Sequence, residues 1–519
     1  MTTDTTKVAR GTSAFFGQSV TSGLLRIFNI MILTRLLLQN QIGQIALIGI
    51  VYGFIQFLGA LGLNHAAPLV VSEAEERKQY GIIRTFLSRS LILIIFSSIF
   101  LVVLLYIFSP LLVVNDLLSV ETVQVLMIIG LFSSLEVFLD SFLLARYTVR
   151  NLATGRILFD STRVILSVGL VFAGVGVTGV AIGWLIAEIF AVFYYGYFAS
   201  RKLPSNTQSD VEFRPIIAFA LSSLVFQGID VAIQNTDRLI LLYQSDLVAL
   251  GVYDVMLSIL FMMSFVSLAI STSLYPVFTK ARVRSETEKS DHLGNAIGYT
   301  IRYILALLIP LAIIAALNAN AILTHVFSAS YATYPNACLS FSILVVSYVA
   351  WGIVYALHVI LRSLGEARFF VLSGLAIFGF EIVGAWYLTS WFGLLGSALI
   401  RACYIHLLLI ASIWRLRQKQ VHVQVNLQKR LARILLASII AGLLVLVLHP
   451  ASLLELGLFG ILSLIVYFGL LVIGREIIHF DIRVAKAIFP LSFHTAIGRF
   501  ERYYFSEKEA TLVMDSSSP

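Results

Sequence analysis

The chain has 519 residues, of which 59% are hydrophobic and only 12% charged, and its mean hydropathy is +0.93. Soluble domains carry roughly 25% charged residues, so composition excludes a soluble globular protein and indicates a polytopic membrane protein. The formal net charge of +8 would suggest nucleic acid in a soluble chain, but here the placement of the basic residues supplies a different account.

Apolar runs of about 20 residues, enough to cross roughly 30 Å of hydrocarbon, predict helices near 13–34, 42–63, 86–108, 123–145, 160–175, 177–198, 216–235, 249–271, 293–316, 337–361, 369–389, 391–414, 434–448 and 453–473. The expected class is an all-α membrane protein of about fourteen transmembrane helices, the fifth and thirteenth being short. Lys7, Arg10, Arg77, Arg146, Arg150, Arg156, Arg201, Arg214, Lys280, Arg362, Arg415 and Arg433 fall on one side of this topology, whereas the loops at 109–122, 317–336 and 449–452 contain no Lys or Arg. Positive residues remain cytoplasmic, so both termini are expected in the cytoplasm and the chain in the cell membrane. The basic excess is topological, and nucleic acid is not an expected partner.

Polar residues inside the predicted spans are ordered. A charge at mid-bilayer costs roughly 2.5–3.5 kcal/mol on insertion scales, so each needs a partner or a wet cavity. On the first helix Gln18, Ser22, Arg26 and Asn29 share one face, and Arg35 closes the helix. Glu136 and Asp140 form an acidic face on the fourth. On the seventh, Gln227, Asp230, Gln234 and Asp237 recur at helical spacing, followed by Arg238. Arg302 lies about ten residues into the ninth helix. Tyr348, Trp351, Tyr355, His358 and Arg362 form a stripe on the tenth. Such stripes suit surfaces facing a central cavity, and they suit helix–helix hydrogen bonding equally in kind. Glu381 and Arg401 lie at similar distances either side of the turn at Ser390 and Trp391, so an internal ion pair is expected, with a coupling-ion role as the alternative.

Cys338 and Cys403 lie within predicted helices and form no disulfide or metal-ligand pattern. No Gly-rich loop precedes Lys-Ser/Thr and no HExxH is present, so neither ATP hydrolysis nor a metal centre is written into the chain. Neither an enzyme nor a cofactor is expected. The first helix lacks a small-residue cleavage site and is expected to remain. After Gly474, Arg483, Lys486, Arg499 and Arg502 alternate with Phe489, Phe493, Phe500, Tyr503 and Tyr504, which suits either an anionic membrane surface or a polar tail.

The chain repeats itself once. Gly176-Val177-Thr178-Gly179-Val180-Ala181 recurs 217 residues later as Gly393-Leu394-Leu395-Gly396-Ser397-Ala398. Arg150-Asn151-Leu152 with Gly155 and Arg156 recurs as Arg362-Ser363-Leu364 with Gly365 and Arg368. Arg35-Leu36-Leu37-Leu38 before Gly43 recurs as Arg238-Leu239-Ile240-Leu241 before Gly251. Transporters are commonly built from repeated bundles with the substrate between them. The expected organisation is an N-lobe over 1–205, a C-lobe over 206–420, two further helices over 421–474 and a cytoplasmic tail over 475–519.

At Asn235-Thr236-Asp237-Arg238-Leu239-Ile240-Leu241 and Ala249-Leu250-Gly251-Val252-Tyr253 the chain resembles the oligosaccharide flippase family. These are polysaccharide-biosynthesis exporters of the superfamily that also contains multidrug and toxin extrusion transporters and the peptidoglycan lipid flippase. Thr34-Arg35-Leu36-Leu37, Leu274-Tyr275-Pro276, Arg302-Tyr303 with Pro310, Leu361-Arg362-Ser363-Leu364-Gly365 and the Gly393 motif extend the resemblance over roughly residues 10 to 415. Phe327-Ser328-Ala329-Ser330-Tyr331 departs from it, lacking a glycine before the tyrosine. The resemblance implies two pseudo-symmetric six-helix lobes forming a V, with two C-terminal helices appended. It also implies a polyprenyl-diphosphate-linked saccharide moved from the inner to the outer leaflet by alternating access.

That cargo suits the residues. Arginine forks bind a diphosphate, while amides, hydroxyls and aromatic faces bind sugar. The expected substrate contacts are Arg26, Asn29, Gln227, Asp230, Arg302, Tyr355 and His358, with Arg26 and Arg302 holding the diphosphate. Coupling or gating is expected of Arg35, Glu136, Asp140, Asp237, Arg238, Glu381 and Arg401. Expected partners are the lipid-linked saccharide, the bilayer and glycan-assembly enzymes, with a monomeric chain. A cation-coupled drug extruder on the same fold is the alternative, kept open by Glu136 and Asp140; a non-transporting membrane scaffold leaves the buried stripes unexplained. Reporter fusions at Asp116 and Asn320 should read outside and fusions at Ser205, Ser285 and Gln420 inside; a cytoplasmic signal at Asn320 would break the topology.

Overall fold

The computed structural model describes residues 3–114, 116–146, 149–201, 212–264, 267, 292–364, 366–419, 427–474, 476, 498 and 501. The long helices follow the predicted runs: α1 (Thr3–Leu36), α2 (Gln39–Gly59), a shorter α3 (Leu63–Glu76), α4 (Tyr80–Val114), α5 (Val120–Ala145), α6 (Val149–Phe172), α7 (Gly176–Ser200), α8 (Phe213–Gln244) and α9 (Leu247–Ser264). They continue with α10 (His292–Leu317), the short pieces α11 (Ala319–Ile322), a π-helical turn (Leu323–Phe327) and α12 (Ala329–Thr333), then α13 (Ala337–Ser363), α14 (Ala367–Phe392), α15 (Leu394–Gln418), α16 (Leu427–Leu448) and α17 (Leu453–Ile473). No strand occurs among the described residues.

Twelve of these helices are long and apolar enough to cross a membrane. α6 has the length but carries Arg156, Asp160 and Arg163, and it falls outside that set. The expectation near 160–175 therefore needs correction: the helix begins at Val149, because Arg150, Arg156, Asp160 and Arg163 interrupt the apolar run without interrupting the helix. α16 likewise starts before its apolar run. Helix α3 has no predicted counterpart.

Successive long helices alternate in direction, so the connections α1–α2, α4–α5, α6–α7, α8–α9, α14–α15 and α16–α17 lie at one end, here the distal end. Two of them explain the recurring glycines. Gly176 and Gly393, first in their motifs, have φ of +65° and +55°, which L side chains adopt at a cost. The fourth residue of each motif meets the preceding helix: a Cβ on Gly179 would lie 2.9 Å from Leu170 Cβ, and one on Gly396 would lie 2.0 Å from the Leu388 carbonyl oxygen. The motif is a tight hairpin between antiparallel helices, used once in each half. Ser119 and Ser452 cap α5 and α17 by accepting from the Thr122 and Glu455 amides.

The two halves fuse at the distal end. One apolar cluster runs from Leu33, Ile42 and Leu47 through Leu126 and Val180 to Leu250, Val252, Tyr253, Phe327, Tyr331 and Phe341. Towards the other end the core separates. Leu63, Ile83, Phe86, Phe138, Phe142 and Tyr195 form one cluster, on which the first turns of α8 pack through Phe213, Ile216 and Ala220. Two smaller clusters centre on Leu357, Ile360 and Leu361 and on Val354, Tyr404 and Ile405. Helices α16 and α17 pack on α10 through Ile309, Ile434, Ala441 and Tyr467.

At the centre of the distal fusion two repeat-equivalent glycines meet. A Cβ on Gly43 would lie 1.8 Å from the Leu247 carbonyl oxygen, and one on Gly251 would lie 2.5 Å from the Gln39 carbonyl oxygen and 2.7 Å from the Gly43 nitrogen. The backbones of α2 and α9 touch, and each glycine abuts the first turn of the other helix. Gly43→Ala should therefore lower the melting temperature of the purified protein by several degrees, as overpacking costs about 1–3 kcal/mol. Gly169→Ala, whose Cβ meets nothing within 4 Å, should leave it close to wild type.

Candidate functional site

Below the distal fusion, polar side chains of α1, α2, α6, α8, α9 and α13 line the space between the halves. They fall into charges that are paired and charges that are not.

The most buried pair belongs to α8 and α15. Arg401 engages Asp237 with two donors, Nε and one terminal nitrogen, both at 2.7 Å, and the side chains are 5% and 0% exposed. Tyr253 on α9 donates to the same carboxylate at 2.5 Å, and Arg401 also donates to the Gln234 carbonyl at 2.9 Å. Each of Asp237, Tyr253 and Arg401 lies within about 10 Å of the distal end of its helix at 1.5 Å rise per residue, so three helices are tied in one layer. Beside it Arg238 pairs with Asp254 at 2.9 Å. Glu381 does not pair with Arg401 as expected. Asp237 takes the guanidinium, and both Glu381 carboxyl oxygens are buried without a hydrogen-bond partner. Equal distance from a turn matched depth but not direction around the helix.

In the other half Arg156 holds Asp140 through two bonds of 2.8 and 2.6 Å and reaches Gln18 at 3.5 Å; Gln18 in turn donates to Ser22 at 2.9 Å. Arg156, expected among the cytoplasmic basic residues, is an interior ion-pair partner within α6. The polar face of α1 is partly helix–helix bonding, as the packing alternative required. Glu136 accepts from Gln56 at 3.4 Å, Gln56 donates to the Tyr52 hydroxyl at 3.2 Å, and Tyr52 donates to Glu188 at 2.6 Å. Three helices, α2, α5 and α7, are linked by this chain.

Two arginines face the cleft from α1 and α6. Arg26 is exposed, yet Asp160 and Arg163 on α6, Tyr52 on α2 and Asp254 on α9 all lie within its electrostatic range. An accessible side chain ringed by groups from three other helices faces a cleft. Its guanidinium lies over Phe261, 4.7 Å from the ring centroid. Arg163 lies 3.5 Å above the Trp184 ring and 5.3 Å from that of Tyr52. Among the described residues neither arginine has a carboxylate within 4.0 Å, the distance that every pair above satisfies.

Arg302 is not part of this site. It is buried and donates to the Glu476 carbonyl at 2.8 Å, beside the Arg433–Glu476 ion pair at the base of α16 and α17. It faces the base of α16 and α17, not the residues of the cleft. On the C-half wall, Asp230 accepts from Gln234 at 3.0 Å and is within range of Arg362, as are Tyr355 and His358. Gln227 meets His65 across the cleft at 3.0 Å. His358 packs edge-on against Phe370, and its Nε2 is buried without a partner, as is the Asn29 Oδ1. Arg35, at the distal end, donates to the His325 carbonyl at 2.6 Å, and His325 contacts the Pro450 carbonyl at 2.9 Å.

Tyr52, Asp160, Arg163 and Glu188 were not singled out from sequence. Arg156, Asp160 and Arg163 follow helical steps of 4 and 3, the signal that marks the first and seventh helices, but an apolar run beginning at 160 leaves Arg156 outside it and cuts the stripe short.

A bundle of two repeated halves, fused at one end and separated by a charged cleft, defines a multi-pass membrane protein. Known structures agree on the fold. A lipid II flippase MurJ in an inward closed conformation matches with a TM-score of 0.66 at 15% identity, over 89% of this chain and 99% of that one. An inward-facing multidrug resistance MATE transporter of the MOP superfamily matches with 0.64 at 14% identity, over 79% and 98%. An outward-facing MATE transporter matches with 0.56 at 16% identity, over 80% and 96%. The profile of the family described as polysaccharide biosynthesis protein matches residues 32–335, and the chain belongs to that family. No curated protein sequence matches the chain significantly.

Breaking the Asp237–Arg401 pair should be costly, about 3–5 kcal/mol for an orphaned buried charge. Asp237→Arg and Arg401→Asp should each deplete the folded protein in membranes, and the double exchange should recover part of it. Glu381→Gln, which removes no ion pair, should accumulate normally.

Proposed function

We propose that this protein flips a polyprenyl-diphosphate-linked oligosaccharide from the cytoplasmic to the outer leaflet for cell-surface glycan assembly. The observation that carries the reading is Arg26: an accessible guanidinium in the cleft that, like its neighbour Arg163, has no carboxylate within 4.0 Å among the described residues, whereas Arg156 and Arg401 are paired. A cation inside a membrane protein needs compensation, and an entering anionic substrate supplies it. The match of residues 32–335 to a polysaccharide biosynthesis family supports a saccharide cargo.

In this reading residues 1–205 and 206–420 act as two lobes, the distal end faces outside, and the termini lie in the cytoplasm. The distal fusion then shuts the outer side, while on the cytoplasmic side the halves meet where α3 packs on α8, Gly62 against the Ala220 carbonyl and His65 against Gln227. Asn29, Gln227, Asp230, Tyr355 and His358 line the path of the sugar. Glu136, Asp140, Arg35, Arg238, Glu381 and the Asp237–Arg401 pair contribute to gating or ion coupling. The lipid tail stays in the bilayer at the side of the cleft. A cation-coupled extruder is the second reading, favoured by Glu136 and Glu188, neither of which has an arginine partner within 4.0 Å among the described residues.

Arg26→Ala should abolish appearance of lipid-linked saccharide at the outer leaflet while the protein accumulates normally, and Arg26→Lys should restore part, since a point charge lacks the fork. Normal flipping by a well-expressed Arg26→Ala protein would end the anion-site reading. Retained drug efflux that is lost in Glu188→Gln would establish the extruder.

A further inference from the structure

We propose that Arg163 is the second arm of the anion site, and that Arg26 and Arg163 together select a diphosphate over a monophosphate. The inference rests on the flippase reading and deepens it by naming the headgroup and the residue that discriminates it.

Depth comes first. Arg26 is ten residues from the distal end of α1 and Arg163 nine from that of α6, so both lie about 15 Å below it. They are close enough for their charges to repel. Two like charges facing one cleft without carboxylate contacts are unfavourable in the empty protein, and a polyanion bridging them removes the penalty.

Next is presentation. Arg163 lies flat on Trp184 at 3.5 Å, and Trp184 meets Tyr52 edge-on, with centroids 5.7 Å apart. Tyr52 is itself fixed between Glu188 and Gln56. An aromatic floor occupies a face of the guanidinium and leaves its N–H edge, the part that binds phosphate oxygens in pairs, without a carboxylate. Arg26 rests on Phe261 in the same manner from the facing half. Asp160, one turn before Arg163, is in range of Arg26 yet forms no ion pair with either arginine, and Asp254 is committed to Arg238. Two forks set on separate helices match two phosphoryl centres. A single phosphoryl group can satisfy one fork and leaves the other charge exposed.

The test uses the full-length protein purified in lipid nanodiscs, with farnesyl diphosphate and farnesyl monophosphate as probes in calorimetric titrations. Wild type should bind the diphosphate at least tenfold more tightly. Arg163→Gln should lose about tenfold or more in diphosphate affinity with little change for the monophosphate, collapsing the preference. Arg163→Lys should recover part of it. If Arg163→Gln keeps the wild-type preference while Arg26→Ala loses diphosphate binding, this proposal fails and the flippase reading stands. If Arg163→Gln weakens both probes equally and lowers the melting temperature of the ligand-free protein, Arg163 serves only to hold Trp184, and the proposal fails again. If wild type binds neither probe, the lipid-diphosphate reading itself falls.

Discussion

Interior charge, and the requirement that it be compensated, organises this molecule. An ion removed from water without a partner costs several kcal/mol, so helices that carry charges must arrange themselves around one another's. Asp237 on α8 and Arg401 on α15 satisfy that requirement with two short bonds and Tyr253 of α9 as a third member. Asp140 on α5 and Arg156 on α6 satisfy it in the other half. Each pair fixes the rotation of its helices about their axes, and that rotation determines what else faces the cleft. Arg163 shares a face of α6 with Arg156, and Asp230 shares one of α8 with Asp237. The paired charges thus orient the unpaired ones.

The second constraint is the repeat. Gly43 and Gly251 occupy equivalent places and meet at the distal end, each against the first turn of the other's helix, as a two-fold relation between the halves demands. Yet the halves are chemically unequal. The N-half carries a hydrogen-bonded chain from Glu136 to Glu188 and presents two arginines to the cleft. The C-half locks its deepest arginine onto aspartate. One duplicated scaffold therefore carries accessible arginines on one half and a locked arginine on the other.

Much of the fold was legible in the sequence because hydrophobic runs and glycine spacing report backbone geometry directly. The motifs at Gly176 and Gly393 are helical hairpins in both halves, and each predicted span has a helix in the structure. The direction of the site residues was not legible. Glu381 and Arg401 lie either side of one turn, yet Arg401 turns to Asp237; Arg302 was expected to face the cavity, yet it faces α16 and α17. Which way a side chain faces depends on how neighbouring helices are rotated, and one helix's periodicity carries no information about its neighbours. Arg163 was missed for another reason: an apolar run starting at 160 leaves out Arg156, so the stripe of three charges on one face of α6 is cut short.

Helix α6 also bears on how the chain is made. Arg156, Asp160 and Arg163 would each add about 2.5–3.5 kcal/mol to the transfer of an isolated helix into lipid when near its centre, and its remaining apolar residues offset that poorly. It is a poor candidate to leave the translocon alone. Helix α7 follows after only the turn at Ala173–Val175 and is apolar for most of its length, while Asp140 on the preceding α5 can neutralise Arg156 on arrival. The assembly of this half is thereby cooperative: α6 must wait for a partner on either side, and the arginines that equip the cleft set the order in which its walls enter the membrane.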